Sequence, residues 1–157
     1  MAQFSEAIDI VLKHEGNYTN DSCDPGGETK FGISKKSYPN LDIKNLNIKQ
    51  VKEIYYKDYW LPLKCDEINI QWFADKLFDM AVLIGIGTAV RLLQQSINSE
   101  CDVEIEIDGI MGPKTLSYVN SYNMEDVYHA FLYTMEVHLK SLNQPKYING
   151  WMIRLYS

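Results

Sequence analysis

Apolar residues recur at helical spacing along most of the chain, and the first such stripe ends on a carboxylate. Phe4, Ala7, Ile8, Val11 and Leu12 share one face, which predicts a helix over 4–15, and Glu15 takes the next place on that face. A solvated glutamate has no reason to continue an apolar stripe, so Glu15 is predicted to point inward. A polar, glycine-rich loop follows as far as Ile33, with short extended structure expected around Phe31, Ile33 and Tyr38 before Pro39 interrupts it. Asn47 reads as the N-cap of a second helix whose stripe is Val51, Ile54, Tyr55 and Asp58, stopping before Pro62.

The next stripe, Ile70, Phe73, Ala74, Leu77, Phe78 and Ala81, predicts a buried helix with Asp75 and Lys76 outside and Asp79 beside the stripe. Gly85-Ile86-Gly87 breaks it, and Ala89, Val90, Leu93 and Ile97 open another helix. These glycines lack the third glycine and the preceding strand of a dinucleotide fingerprint, so they are read as a helix break. Further on, Asp108-Gly109 predicts a turn, and Pro113 suits the first position of a following helix. Asn123 and Asp126 read as a capping pair for a long helix with Val127, Phe131, Met135, His138, Leu139 and Leu142 inward.

The chemistry concentrates in residues 14–33. A carboxyl group at the end of an apolar face is partly desolvated, which favours its protonated form and suits a general acid. Asp24 follows Glu15 after eight residues and Thr29 follows Asp24 after four, with Pro25-Gly26-Gly27 between them. The two glycines permit positive φ, so the loop can fold back and set Asp24 and Thr29 across a cleft from Glu15. One proton donor facing one ionised carboxylate is the division of labour that glycosidases use. Each residue also has a plainer reading: Glu15 as a capping or ion-paired acid, Asp21 and Asp24 as turn formers, Tyr18 and Phe31 as packing aromatics. The aromatics are equally suited to stacking on sugar rings.

This segment resembles the signature of the N-acetylmuramidases of glycoside hydrolase family 108, in which Glu-Gly-Gly-Tyr continues into Asp-x-x-Asp-x-Gly-Gly-x-Thr-x-x-Gly-Ile. Here the chain reads Glu15-Gly16-Asn17-Tyr18, then Asp21-Ser22-Cys23-Asp24-Pro25-Gly26-Gly27-Glu28-Thr29-Lys30-Phe31-Gly32-Ile33, departing within that loop at Asn17. Leu83 stands where the family's Asp-x-Ala-Val-Asn-x-Gly has a polar residue. Asp108-Gly109-Ile110-Met111-Gly112-Pro113-Lys114-Thr115 resembles a segment of the family's C-terminal, peptidoglycan-binding-like lobe, and Gly150-Trp151-Met152-Ile153-Arg154 its closing Gly-Trp-x-x-Arg. That closing segment is read as a short structural helix packing Trp151 on the body.

The resemblance implies an all-α, lysozyme-like fold with a short loop or β-hairpin after the first helix. It implies a catalytic lobe over 1–90 and a peptidoglycan-binding-like lobe over 91–157, packed as one compact unit. It further implies hydrolysis of the β-1,4 bond between N-acetylmuramic acid and N-acetylglucosamine, with Glu15, Asp24 and Thr29 catalytic and Tyr18, Phe31 and Asp79 binding substrate. The helical phage lysozymes with a similar Glu, Asp and Thr set suggest inversion, while the sequence gives no carboxylate separation. Two alternatives stay open: a non-catalytic domain that binds peptidoglycan or scaffolds other proteins, and a lytic transglycosylase working with one glutamate.

Composition narrows the partners. The 157 residues are enough for one compact domain or two small lobes, and 46% are hydrophobic. A net charge of −6 with dispersed basic residues argues against nucleic acid, which needs a concentrated positive face. No stretch reaches the roughly 18 consecutive apolar residues of a membrane span. The partner expected is the glycan strand of peptidoglycan, engaged by a monomer without stable membrane insertion. Met1-Ala2-Gln3 runs straight into an amphipathic helix, so the expectation is synthesis in the cytoplasm without a signal peptide, with action on the wall or in the periplasm after release or specialised export. Three cysteines at unrelated spacings suggest reduced thiols, and the three histidines show no metal spacing, so no metal or other cofactor is expected.

Overall fold

The computed structural model describes residues 1–20, 27–121 and 123–157; the loop residues Asp21 and Asp24 lie outside them. Among the described residues there are seven α-helices and one two-stranded hairpin: α1 (Phe4–Glu15), β1 (Thr29–Lys30), β2 (Ile33–Ser34), α2 (Ile48–Tyr55), α3 (Gln71–Ile84), α4 (Ile86–Cys101), α5 (Pro113–Val119), α6 (Met124–Ser141) and α7 (Ile148–Tyr156). The expected all-α class with a hairpin after the first helix is what the chain adopts. Helix α3 is central: it packs on α1 and on α4, α4 packs on α6, and α6 on α7.

Each helix forms where its stripe can be buried. Ala7, Ile8 and Val11 of α1 are fully buried, with Phe4 and Leu12 packed against the same core. Helix α2 opens on a complete capping box: the Asn47 side chain accepts from the Gln50 amide at 3.0 Å, and the Gln50 side chain accepts from the Asn47 amide at 3.0 Å. It then widens into one turn of π-helix, Tyr56–Trp60, whose aromatics interlock with Phe4 and Phe78. Trp60 is fully buried and its indole N–H donates to Asp66 at 2.6 Å. That cluster is core, and Asp58 of the expected stripe is instead exposed, accepting from the Tyr38 hydroxyl.

Three other expectations are corrected. Lys76, expected outside, is 7% exposed, because the C-terminal helix covers that face of α3 and its ammonium donates to main-chain oxygens of Arg154 (3.0 Å) and Ser157 (3.3 Å). Asn123 stands at the start of α6 without a side-chain cap bond. Leu142, expected inward, is exposed past the end of that helix, while Val127, Phe131, Met135 and Leu139 are buried. No described helix is long and apolar enough to cross a membrane.

Candidate active site

Glu15 is the last residue of α1, and Gly16 turns the chain away with φ +67°. The stripe delivers the carboxyl to a partly covered position, its side chain 19% exposed. Three elements close around it. From α7, Nη1 of Arg154 lies 2.8 Å from Oε1 of Glu15. Gly32 brings the hairpin turn so near that a Cβ there would stand 2.6 Å from Oε2 of Glu15 and 2.3 Å from the Tyr55 hydroxyl. Tyr55, from α2, is buried and donates to the Phe31 carbonyl at 2.9 Å, which ties the turn to the helical body.

Past residues 21–26, which lie outside the described ones, the chain runs back beside Thr19. Thr19 and Thr29 exchange both main-chain hydrogen bonds, at 2.8 and 2.9 Å, and β1 pairs antiparallel with β2 in the register Thr29 with Ser34 and Lys30 with Ile33. Phe31 and Gly32 form the two-residue connection, both at positive φ (49° and 77°), the signature of a type I′ hairpin turn. Phe31 and Tyr38 therefore lie outside the strands. The Thr29 hydroxyl donates to the Gly27 carbonyl at 3.2 Å. Tyr18 is 37% exposed and donates to Glu28 at 2.9 Å, a bond that, more than the other influences on it, pushes the phenol pKa up and holds it in its neutral form.

Asp79 sits differently from a residue open to substrate. It is 1% exposed, and both its carboxylate oxygens face Arg154: Nε at 3.0 and 3.2 Å, Nη2 at 2.8 Å. Its route to the cleft runs through the guanidinium. Burial on its own would lower the ionisation of Arg154, but hydrogen bonds and charge from Asp79, and then from Glu15, raise it above the ordinary value. Burial and then the Glu15 charge push the Tyr55 hydroxyl up, and the same two causes act on Tyr59. Both phenols stay neutral beside the acid.

The site thus gathers residues 15, 32, 55, 79 and 154, of which the sequence singled out 15 and 79. Gly32 stood in the quoted motif without a role. Tyr55 was a stripe residue. The Gly-Trp-x-x-Arg pattern predicts that Trp151 packs on the body; Trp151 is half-buried against Tyr147, whereas Arg154 and Leu155 are the buried members of α7. A buried arginine needs an acid partner, and that was the signal available. The Asp108-to-Thr115 segment is held as a turn by the buried Gln94 side chain. Among the described residues no group of His, Cys, Asp and Glu could hold a metal ion.

Comparison with known proteins agrees with this architecture. Residues 8–85 match the family described as Glycosyl hydrolase 108, and residues 88–156 match one described as a predicted peptidoglycan domain. No curated protein matches the chain in sequence. Of solved structures, that of Brucella abortus SagA superposes with a TM-score of 0.82 at 25% identity, covering 98% of this chain and 89% of that one. The fold is the mostly α-helical, lysozyme-like one. The chain belongs to the glycosyl hydrolase 108 family: it is a glycoside hydrolase of peptidoglycan whose hydrolase region is followed by a peptidoglycan domain.

Proposed function

We propose that the protein is an N-acetylmuramidase that hydrolyses the β-1,4 bond between N-acetylmuramic acid and N-acetylglucosamine, with Glu15 as general acid. The observation that carries this reading is a single partly exposed carboxyl, at the end of an apolar stripe, clasped between a glycine turn and a buried arginine. Glu15 protonates the glycosidic oxygen as the bond breaks. Positive charge develops on the sugar, and ionised Asp24 stabilises it or, with the Thr29 hydroxyl, orients the attacking water. Tyr18 and Phe31, at the edge of the hairpin, offer aromatic faces to the sugar rings. Asp79 acts from beneath, through Arg154.

Sugar release from purified peptidoglycan by wild type and Glu15→Gln tests this. Wild type is expected to yield muropeptides with reducing ends, and the variant to be slower by about 10²–10⁴-fold, the range typical of a lost general acid. Products lighter by one water are anhydro sugars and would make the enzyme a lytic transglycosylase. Equal wall binding without release from either protein would leave a binding or scaffold domain.

A further inference from the structure

We propose that the hollow between α3 and α6 at Trp72 is a second glycan-binding site, apart from the acid, that takes an uncharged N-acetylglucosamine unit of the peptidoglycan strand. It lies at the other end of the first helix from Glu15. Helices α1 and α3 start side by side, the Gln3 amide donating to the Gln71 side chain at 2.7 Å. From there α1 carries Glu15 about 16 Å away along its axis.

The residues make an aromatic platform with a polar edge. Trp72 stands off the buried face of α3 and is 42% exposed. Its ring stacks on Phe73, with centroids 5.9 Å apart and 27° between planes, and lies T-shaped to Tyr128 of α6 at 4.6 Å and 73°. Glu125, Tyr128 and His129 follow at i, i+3 and i+4 on α6, which places them on one face of that helix. Among the described residues, these three and Trp72 line a hollow of about 430 Å³, a size that suits a small ligand. A smaller hollow of about 140 Å³ shares the Trp72 and Tyr128 wall and reaches Asp75, Lys76 and Ser157.

A pyranose ring presents apolar C–H groups on its face and hydroxyls around its rim. Trp72 supplies the apolar surface, while Glu125 and His129, both exposed, offer hydrogen-bonding groups to the hydroxyls. Charge selects the sugar. Asp75 and Glu125 flank the wall; Asp75 is half-buried and accepts from the Gln71 side chain at 2.6 Å. The Lys76 ammonium, which could offset them, is turned to the main-chain oxygens of Arg154 and Ser157. The carboxylates of N-acetylmuramic acid and its peptide are disfavoured beside these acids, whereas N-acetylglucosamine carries no charge. Trp72 lies in residues 8–85 and the other three in residues 88–156, so the sugar sits at the seam of the two matched regions. A protein of net charge −6 gains no long-range attraction to an anionic wall. A second contact offsets this, because a strand held at Trp72 presents its remaining length to the cleft at a raised effective concentration.

The test adds the β-1,4 tetramer of N-acetylglucosamine to the full chain, as wild type and as Glu15→Gln, and follows the indole ¹⁵N–¹H signal of Trp72, assigned by its loss in Trp72→Phe. A saturable shift of that signal is expected in both proteins. The affinity it reports should fall about tenfold or more in Glu125→Ala, the low end for a hydrogen bond to a charged group, and should largely return in Glu125→Gln, whose amide still accepts from a hydroxyl. Both changes are at an exposed position, so the fold is kept. A Trp72 signal that stays still while others near Glu15 move overturns the proposal, since the oligomer then binds in the cleft alone. So does a response confined to the de-N-acetylated, cationic oligomer with Glu125→Gln as damaging as Glu125→Ala, which would mark an amine site, or a response to the stem peptide and not to the sugar. Because Glu15 takes no part in the readout, failure of the muramidase reading leaves this result standing, and a still Trp72 in a protein that releases sugar sinks the second site alone.

Discussion

At the scale of single residues, the site depends on an atom that is missing. Gly32 has φ +77°, and its α-carbon faces Tyr55 and Glu15 at distances that no side chain tolerates. Neither neighbour can retreat freely, since Tyr55 is bonded to the Phe31 carbonyl and Glu15 is paired with Arg154. Gly32→Ala combines left-handed backbone strain with overpacking, together about 2–4 kcal/mol of stability. It also displaces the acid, and a misplacement of about 1 Å costs on the order of 10²-fold in rate. Urea unfolding and sugar release on the same preparation check this; a variant with unchanged midpoint and rate would show that the turn does not hold Glu15. Glu15 was legible because a charged residue on an apolar stripe is conspicuous. Gly32 was not, because nothing local to the sequence says which side chains approach a turn from 17 residues before it and 23 after it.

At the scale of elements, the Asp108–Thr115 segment shows a motif whose chemistry is internal. Gln94, 2% exposed on α4, donates to Asp108 (2.8 Å), the Ile110 carbonyl (3.1 Å) and Thr115 (3.2 Å), and accepts from the Gly109 amide at 2.9 Å. Gly109 is required because a Cβ would stand 2.8 Å from the Gly87 carbonyl. Gln94→Leu strands the Gly109 amide, and a buried polar group without a partner costs about 1–3 kcal/mol, so a loss of that order is expected in urea unfolding near neutral pH. The Gln94 amide and then the Ile110 amide hold the Asp108 carboxyl below the usual range. Such a group stabilises the fold above its unfolded value, about 3.9, and loses that contribution as pH falls through its folded value. The gap between variant and wild type should therefore narrow in acid; a gap independent of pH would remove Asp108 from the account. The elements themselves were largely legible. Asn47 and Gln50 announce α2 at the spacing of a capping box, and Gly85, at φ +86°, separates α3 from α4 where the stripe breaks. The π-helical turn was not legible, because it answers to how Tyr56 and Trp60 fit Phe4 and Phe78 rather than to a local pattern. Of the candidate site, Thr29 is found on the returning hairpin strand, while Asp24 lies outside the described residues.

At the scale of the whole molecule, the acid and its arginine are 139 positions apart in the chain, so the site exists only once the last helix has docked. Lys76 fastens that helix. Its position on α3 reads as solvated because the stripe alone cannot reveal a covering element, yet its ammonium donates to main-chain oxygens of Arg154 and Ser157 at the end of α7. A cation at that end also complements the partial negative charge of the helix C-terminus. Burial lowers the ionisation of Lys76, with Asp79 pulling back towards the charged form, so this clamp is held against a desolvation penalty. Lys76→Met keeps much of the aliphatic stem and removes the two bonds, so the main loss belongs to α7. Hydrogen exchange is the discriminating measurement: protection across Ile148–Tyr156 should fall by about tenfold, as expected for the loss of about 1–2 kcal/mol, while α1 and α3 keep theirs. Sugar release should fall with it, because a loosened α7 carries Arg154 away from Glu15. Uniform loss of protection across all helices would mean instead that α7 opens only with the whole fold, and that the two regions behave as one cooperative unit.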